Sequence, residues 1–341
     1  MLYKLAIVCL VFLLSSIIYL INIKIITNTY NYTNFWWITL MTMSGIPIFT
    51  VISCVSPTDV SYKKYWTQNI IRYPLCAGML YSFESMLLYY SITYVPLSTY
   101  IILRSSFIIW NIPFIIFCIQ LPISKYYIIS VCLIVISIIL ILISNNKLDN
   151  CHSCYIIIAT GLLTAAYNFL LEKATKIYKM TSTEVDALKG SSFDIQYLFQ
   201  LSFLIISIIP SIYYTVLSPP PGDLFAIANY ISIGLSLQIS FYAKMYIMSA
   251  NIDAHVSNNV LYSSLEMIRR FSIIIISVLA FNETISDIYN WCGIVFYVIS
   301  SGFLLYDYVS TTINHTKHIQ LQESSDISIN INALIMITKK I

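Results

Sequence analysis

Glu84, Arg104, Lys244, Glu266, Arg269 and Arg270 each lie well inside a long apolar stretch, so four bases and two acids stand in otherwise hydrophobic surroundings. A charge at bilayer depth costs about 2.5 to 3.5 kcal/mol on insertion scales, so each needs a partner or a ligand. Glu84 can be the buried partner of Arg104. Glu266, one helical turn before both Arg269 and Arg270, can neutralise one of them within its own helix. Two bases are then left over. A structural network has no use for that excess, whereas an anionic solute would supply the missing charge, and an arginine fork binds carboxylate or phosphate through two parallel hydrogen bonds. On this ground either Arg104 or Arg269 is expected to be replaceable without loss of the fold. Lys244 has a second reading: it lies within two turns of an expected helix end, where its stem lets the amine reach the membrane surface.

At 3.6 residues per turn, Tyr100, Arg104 and Asn111 share one helix face, and Ala77, Tyr81, Glu84 and Ser91 share another. Ser236, Ser240 and Lys244 recur every four residues. The candidate substrate-binding set is therefore Arg104, Arg269, Arg270, Glu84, Tyr100, Asn111, Lys244 and Glu266. No residue is assigned a catalytic role. Cys151-His152-Ser153-Cys154 has the spacing of half a zinc site, but a structural site takes four ligands and no second pair is near, so the segment reads as a loop and no metal is expected. The sequence holds no glycine-rich phosphate loop, Ser-His-Asp set or HExxH. No cofactor and no enzymatic activity are expected.

The elements that hold these residues follow from composition. The 341 residues are 58% hydrophobic and 10% charged, against about 25% charged in an ordinary soluble domain. A helical span needs roughly 20 apolar residues. Ten such stretches occur, over about 3–23, 35–55, 73–94, 97–120, 126–144, 153–172, 195–217, 224–249, 258–281 and 288–309. They are continuous apolar runs, not the alternating ten-residue segments of a β-barrel. The first resembles a signal peptide but has no small-residue cleavage site after its core, and it reads as a retained helix. The eight cysteines are scattered, mostly within spans, and imply no disulfide framework.

The expected fold is thus an all-α integral membrane protein of ten transmembrane helices. Residues 93–142 and 250–305 share a layout: a short connection, a span with arginine in its first half, a turn ending Ile-Ser, then a last span. Five spans per half is odd, so the second half enters the membrane inverted, as in many secondary carriers whose substrate site lies between the halves. The halves are 1–150 and 151–310, and 311–341 forms a polar, flexible tail.

With the amino terminus in the cytosol, twelve of the eighteen Lys and Arg fall on the cytosolic side (Lys4, Lys63, Lys64, Arg72, Lys125, Lys173, Lys176, Lys179, Lys189, Lys317, Lys339, Lys340), and only Lys24 and Lys147 fall opposite. That asymmetry fits the positive-inside rule with both termini cytosolic. It also puts Lys176 and Lys179 at headgroup depth, near anionic lipid. Asn31-Tyr32-Thr33 on the far side is an N-glycosylation acceptor pattern.

Ser98-Thr99-Tyr100-Ile101-Ile102-Leu103-Arg104 with Phe107-Ile108-Ile109, Leu171-Glu172-Lys173, and Leu265-Glu266-Met267-Ile268-Arg269 with Glu283 resemble motifs of the F branch of solute carrier family 35. That branch lies within the drug/metabolite transporter superfamily, the EamA-like carriers that include nucleotide-sugar and triose-phosphate transporters. The resemblance runs over about residues 73–308. It implies a secondary carrier of a small organic anion such as a nucleotide-sugar or sugar-phosphate, working by alternating access. By the same likeness Arg269-Arg270 is similar in position to the Lys-Arg pair with which sugar-phosphate carriers hold phosphate, although Arg270 departs from the F-branch pattern. The expected partners are a small-molecule substrate and the lipid of an endomembrane of Golgi, ER or lysosomal type, with no nucleic acid and with a homodimer left open. The competing reading is a non-transporting receptor or scaffold built on a carrier-type fold.

Overall fold

The computed structural model describes residues 2–30, 35–41, 71–119, 123–145, 151–181, 187–250, 258–281, 287–307 and 310. Outside them lie the Asn31-Tyr32-Thr33 triplet, the second expected span beyond Met41, Lys63 and Lys64, Leu121-Pro122, the 282–286 turn and the tail from Thr311.

The described residues are helical almost throughout and contain no strand. In chain order the helices are α1 (Leu2–Tyr30), α2 (Phe35–Met41), α3 (Arg72–Tyr94), α4 (Leu97–Arg104), α5 (Phe107–Pro113), α6 (Lys125–Asn145), α7 (Cys151–Thr181), α8 (Ala187–Leu217), α9 (Leu224–Ala250), α10 (Asn258–Phe281) and α11 (Ile288–Asp307). Seven stretches are long and apolar enough to cross a membrane: Ile7–Tyr30, Leu97–Phe117, Lys125–Ser144, His152–Thr175, Leu198–Leu217, Leu224–Lys244 and Ile288–Asp307. The chain is built as a multi-pass membrane protein.

Two further helices have the length but not the apolarity. α3 has 23 residues and carries Glu84 among serines and tyrosines, and α10 has 24 and carries Glu266, Arg269 and Arg270 at mid-length. All four ionisable side chains are buried. These helices turn polar side chains inward, so mean apolarity under-reports them.

The fourth expected span is one apolar stretch but not one helix. α4 stops at Arg104, where the amides of Ser105 and Ser106 bond carbonyls three residues back, on Ile102 at 3.0 Å and Leu103 at 3.1 Å. The Ser105 hydroxyl caps the Ile101 carbonyl at 3.1 Å, a local bond that competes with the helical ladder. α5 then runs to Pro113, which has no amide hydrogen to donate, and Phe114–Ile119 continues as a wider π-type turn. Cys151-His152-Ser153-Cys154 is likewise the first turn of α7 and not a loop.

The most extensive helix pairings are α1 with α9 and α3 with α7, followed by α3 with α8. α2 packs on α8, and α4 on α10. Two crossings depend on glycine. A Cβ on Gly78 would strike the Ser202 hydroxyl and the Phe199 carbonyl of α8, and one on Gly161 would strike the Ser106 hydroxyl and come within 2.9 Å of the Phe107 amide nitrogen. Small residues let backbones approach where lipid offers no hydrophobic drive to helix association. α6 and α11 run antiparallel and are laced by hydroxyls. Ser130 and Ser300 each donate to the other's carbonyl at 3.0 Å, Ser137 donates to the Gly293 carbonyl at 2.6 Å, and Ser144 to the Asp287 carboxylate at 2.8 Å.

Candidate anion site

Between α1, α3, α4, α7, α9 and α10 lies a cavity of about 50 Å³ into which Tyr100, Arg104, Lys244, Glu266, Arg269 and Arg270 all turn. Six of the eight residues singled out from sequence thus meet at one place, from α4 in the first part of the chain and the consecutive helices α9 and α10. Glu84 stands just behind the wall, 0% exposed, holding Arg104. Asn111 does not belong to the site. The break at Ser105 and Ser106 shifts the face of α5, so the shared stripe expected for Tyr100, Arg104 and Asn111 ends at Arg104.

Arg104 is fixed on two sides: Nη2 donates to Glu84 Oε1 at 3.0 Å and Nη1 to the Tyr100 hydroxyl at 3.0 Å. The Thr164 hydroxyl, from α7, donates to the same Glu84 oxygen at 2.5 Å. On α10, Glu266 Oε2 takes both arginines, Arg269 Nη2 at 2.5 Å and Arg270 Nε at 3.3 Å. Lys244 is 2% exposed and donates to Asn168 Oδ1 at 2.6 Å, with its amine 4.6 Å from the centre of the Tyr167 ring. It is therefore a cavity residue and not a surface anchor. The polar stripes expected on α3 and α9 are buried as drawn: Ala77, Tyr81, Glu84 and Ser91 on one, Ser236, Ser240 and Lys244 on the other.

The two acids are thus committed to arginines, and the cavity retains more positive than negative charge. The shortage shows in single atoms. Among the described residues, Arg104 Nε, Arg269 Nε and Asn168 Nδ2 are buried donors with no acceptor, and near them one carboxylate oxygen, Glu84 Oε2, is buried with no donor. A buried donor left without an acceptor costs about 1 to 3 kcal/mol, more for a charged group. An anion brings acceptors and no donors, which is what this lining lacks.

Rings close the cavity. The Tyr81 ring packs on Phe203, Phe241, Phe199 and Tyr167 with centroids 5.1 to 5.4 Å apart, mostly edge to face, joining α3, α7, α8 and α9. At another part of the wall the hydroxyls of Tyr19 on α1 and Tyr89 on α3 meet directly.

Sequence reasoning passed over α7, which supplies Thr164, Tyr167 and Asn168 to this region. The signal was present: Thr160, Thr164 and Asn168 recur every four residues, the spacing that marks Lys244 on α9. Among the described residues no group of three His, Cys, Asp or Glu is placed to hold a metal ion. No family model matches the chain, and a search of curated proteins finds no significant match.

Proposed function

We propose that the protein is a secondary carrier of a small organic anion, moving it by alternating access between two inverted five-helix halves. The observation that carries this reading is the buried excess of positive charge around one cavity, Arg104, Lys244, Arg269 and Arg270 against Glu84 and Glu266, with arginine donors left without acceptors. A bound anion would neutralise the excess and fill the empty acceptor positions at the same time.

Helix packing supports the inverted plan. With α3 and α10 counted as spans and α2 taken as the described part of the second expected span, the total is ten. Exchange of each span with the one five places along carries the α1 and α9 pairing (spans one and eight) onto that of α7 and α3 (spans six and three). Both pairings are extensive among the described helices from α1 to α10. Spans two and seven, four and nine, and five and ten each pack on their own counterpart. A pseudo-two-fold axis between halves produces this pattern. The drug/metabolite transporter superfamily, with its nucleotide-sugar and sugar-phosphate carriers, is the family to which we assign the chain on this proposal.

A cavity of about 50 Å³ holds a few waters, whereas metabolite sites are typically about 300 to 1,000 Å³. On the carrier reading this is a closed conformation, and the aromatic packing around Tyr81 must part to admit solute. The same closure is what a receptor or scaffold would show. Flux separates the two. Purified protein in proteoliposomes is expected to exchange an anionic metabolite, drawn from sugar nucleotides, phosphate esters and carboxylates, faster than protein-free vesicles. Absence of flux across that panel would favour the scaffold.

The location proposed is an endomembrane with both termini in the cytosol, supported by the twelve-to-two split of basic residues. A protease added to sealed organelles should remove a tag placed after Ile341. A tag protected until the membrane is opened would reverse the orientation.

A further inference from the structure

The adjacent arginines of α10 do different things in the structure. Among the described residues, Arg269 keeps one buried nitrogen, Nε, without an acceptor, and its ion pair is with Glu266 on its own helix. Arg270 is engaged on three sides: Nε faces Glu266 at 3.3 Å, Nη1 donates to the Ser105 hydroxyl at 2.9 Å, and the guanidinium lies 4.6 Å from the centre of the Phe107 ring. Two of those partners, Ser105 and Phe107, flank the break in the fourth span, and Ser105 directly follows Arg104. The other side of the break is held from α7, where the Ile158 carbonyl accepts from the Ser106 hydroxyl at 3.1 Å and from the Trp110 indole at 3.2 Å.

We infer that Arg270 is a positioning residue: it holds the Ser105–Ser106 break so that Arg104 faces the cavity, while Arg269 alone of the pair is left to meet the solute. This rests on the reading of the cavity as an anion site, and it separates two arginines that the family resemblance would have act together. At the break the ladder tightens to bonds three residues long, from the Ser105 and Ser106 amides to Ile102 and Leu103, and such a turn is set by the side chains its neighbours bring to it. The Ser105 hydroxyl oxygen accepts a hydrogen bond from Arg270 Nη1 while the hydroxyl itself donates to the Ile101 carbonyl. The serine thereby links the two helices through one atom.

The test uses the full-length protein in lipid nanodiscs with inorganic phosphate as probe, and two readouts. The first is amide hydrogen exchange across residues 104–109 without ligand. Arg270→Gln and Ser105→Ala should both raise it, and Arg269→Gln should leave it at the parent value. The second is phosphate affinity, read as thermal stabilisation. It should fall about tenfold or more in Arg269→Gln and in Arg270→Gln. In Ser105→Ala it should fall several-fold, and the double variant with Arg270→Gln should lose less than the sum of the two, because both remove the Arg270–Ser105 bond. Ser105→Ala removes a single oxygen, so the test stands even if Arg270→Gln fails to fold. Unchanged exchange in Ser105→Ala and Arg270→Gln, with affinity lost only in the latter, would overturn the inference and make Arg270 a direct ligand. Raised exchange in a protein whose parent form ignores phosphate and every other anion would keep the positioning role and remove the anion site.

Discussion

Replacing Arg269 with Gln is expected to weaken binding of the proposed anionic solute by about 1.5 to 3 kcal/mol, roughly 10- to 150-fold, while the fold persists. The loss follows from the open hydrogen-bonding position at Arg269 Nε and from the ionised partner it would give an anion. Persistence follows from Glu266. Its carboxylate still faces Arg270 Nε after the substitution, so no buried charge is stranded. Arg269→Lys should recover only part of the affinity, since an ammonium cannot reproduce the planar fork. The check is anion-dependent stabilisation or flux beside the unliganded melting midpoint. Parent-like binding or transport in Arg269→Gln would refute the site.

Glu84→Gln is expected to destabilise the protein by about 3 kcal/mol, because it leaves the half-buried Arg104 guanidinium without the carboxylate that pairs with it among the described residues. Arg104→Gln should cost at least as much by the reverse route, stranding the fully buried Glu84 carboxylate, to which the Thr164 hydroxyl still donates. From sequence the two arginines looked equally dispensable for folding. The structure separates them, since Arg269 shares its acid with a second base and Arg104 does not. Combining Glu84→Gln with Arg104→Gln should recover most of the loss, as removing a whole buried pair is far less harmful than halving it. Resistance to unfolding in a graded denaturing detergent would report all three variants. A double variant as unstable as the sum of the singles would show that the two residues do not act as a pair.

Charge at membrane depth is costly, and this made the site legible before any coordinates. Glu84, Arg104, Lys244, Glu266, Arg269 and Arg270 announce themselves against an apolar background, and five of them line one cavity with the sixth directly behind. Helix extents were legible for the same reason: the expected 258–281 span coincides with α10. Neutral residues carry no such signal. Asn168 and Thr164 cost little in a span and do not stand out, yet they hold Lys244 and Glu84. The break at Ser105 was hidden for a related reason. Serine is common in membrane helices, and only contact with Arg270 and the flanking ladder decides whether a pair of serines bends the chain. Asn111 was misplaced because a helical wheel presumes an unbroken helix.

The serine lacing between α6 and α11 has a geometric meaning of its own. Ser130, Ser137 and Ser144 fall seven residues apart, and the buried Tyr127, Val131, Ile134, Ile138 and Ile141 fill alternating steps of three and four along the same face. A repeat of seven underwinds relative to 3.6 residues per turn, so helices that keep it in register wrap left-handedly around one another. α6 therefore presents to α11 a seam with a hydroxyl bond at every seventh residue. Water does not compete for those hydroxyls inside the bilayer, and their spacing locks the register: a slide of one residue breaks all three bonds together. On the carrier reading proposed above, this seam keeps α6 and α11 together, and the opening of the cavity falls to the helices around the Ser105–Ser106 turn.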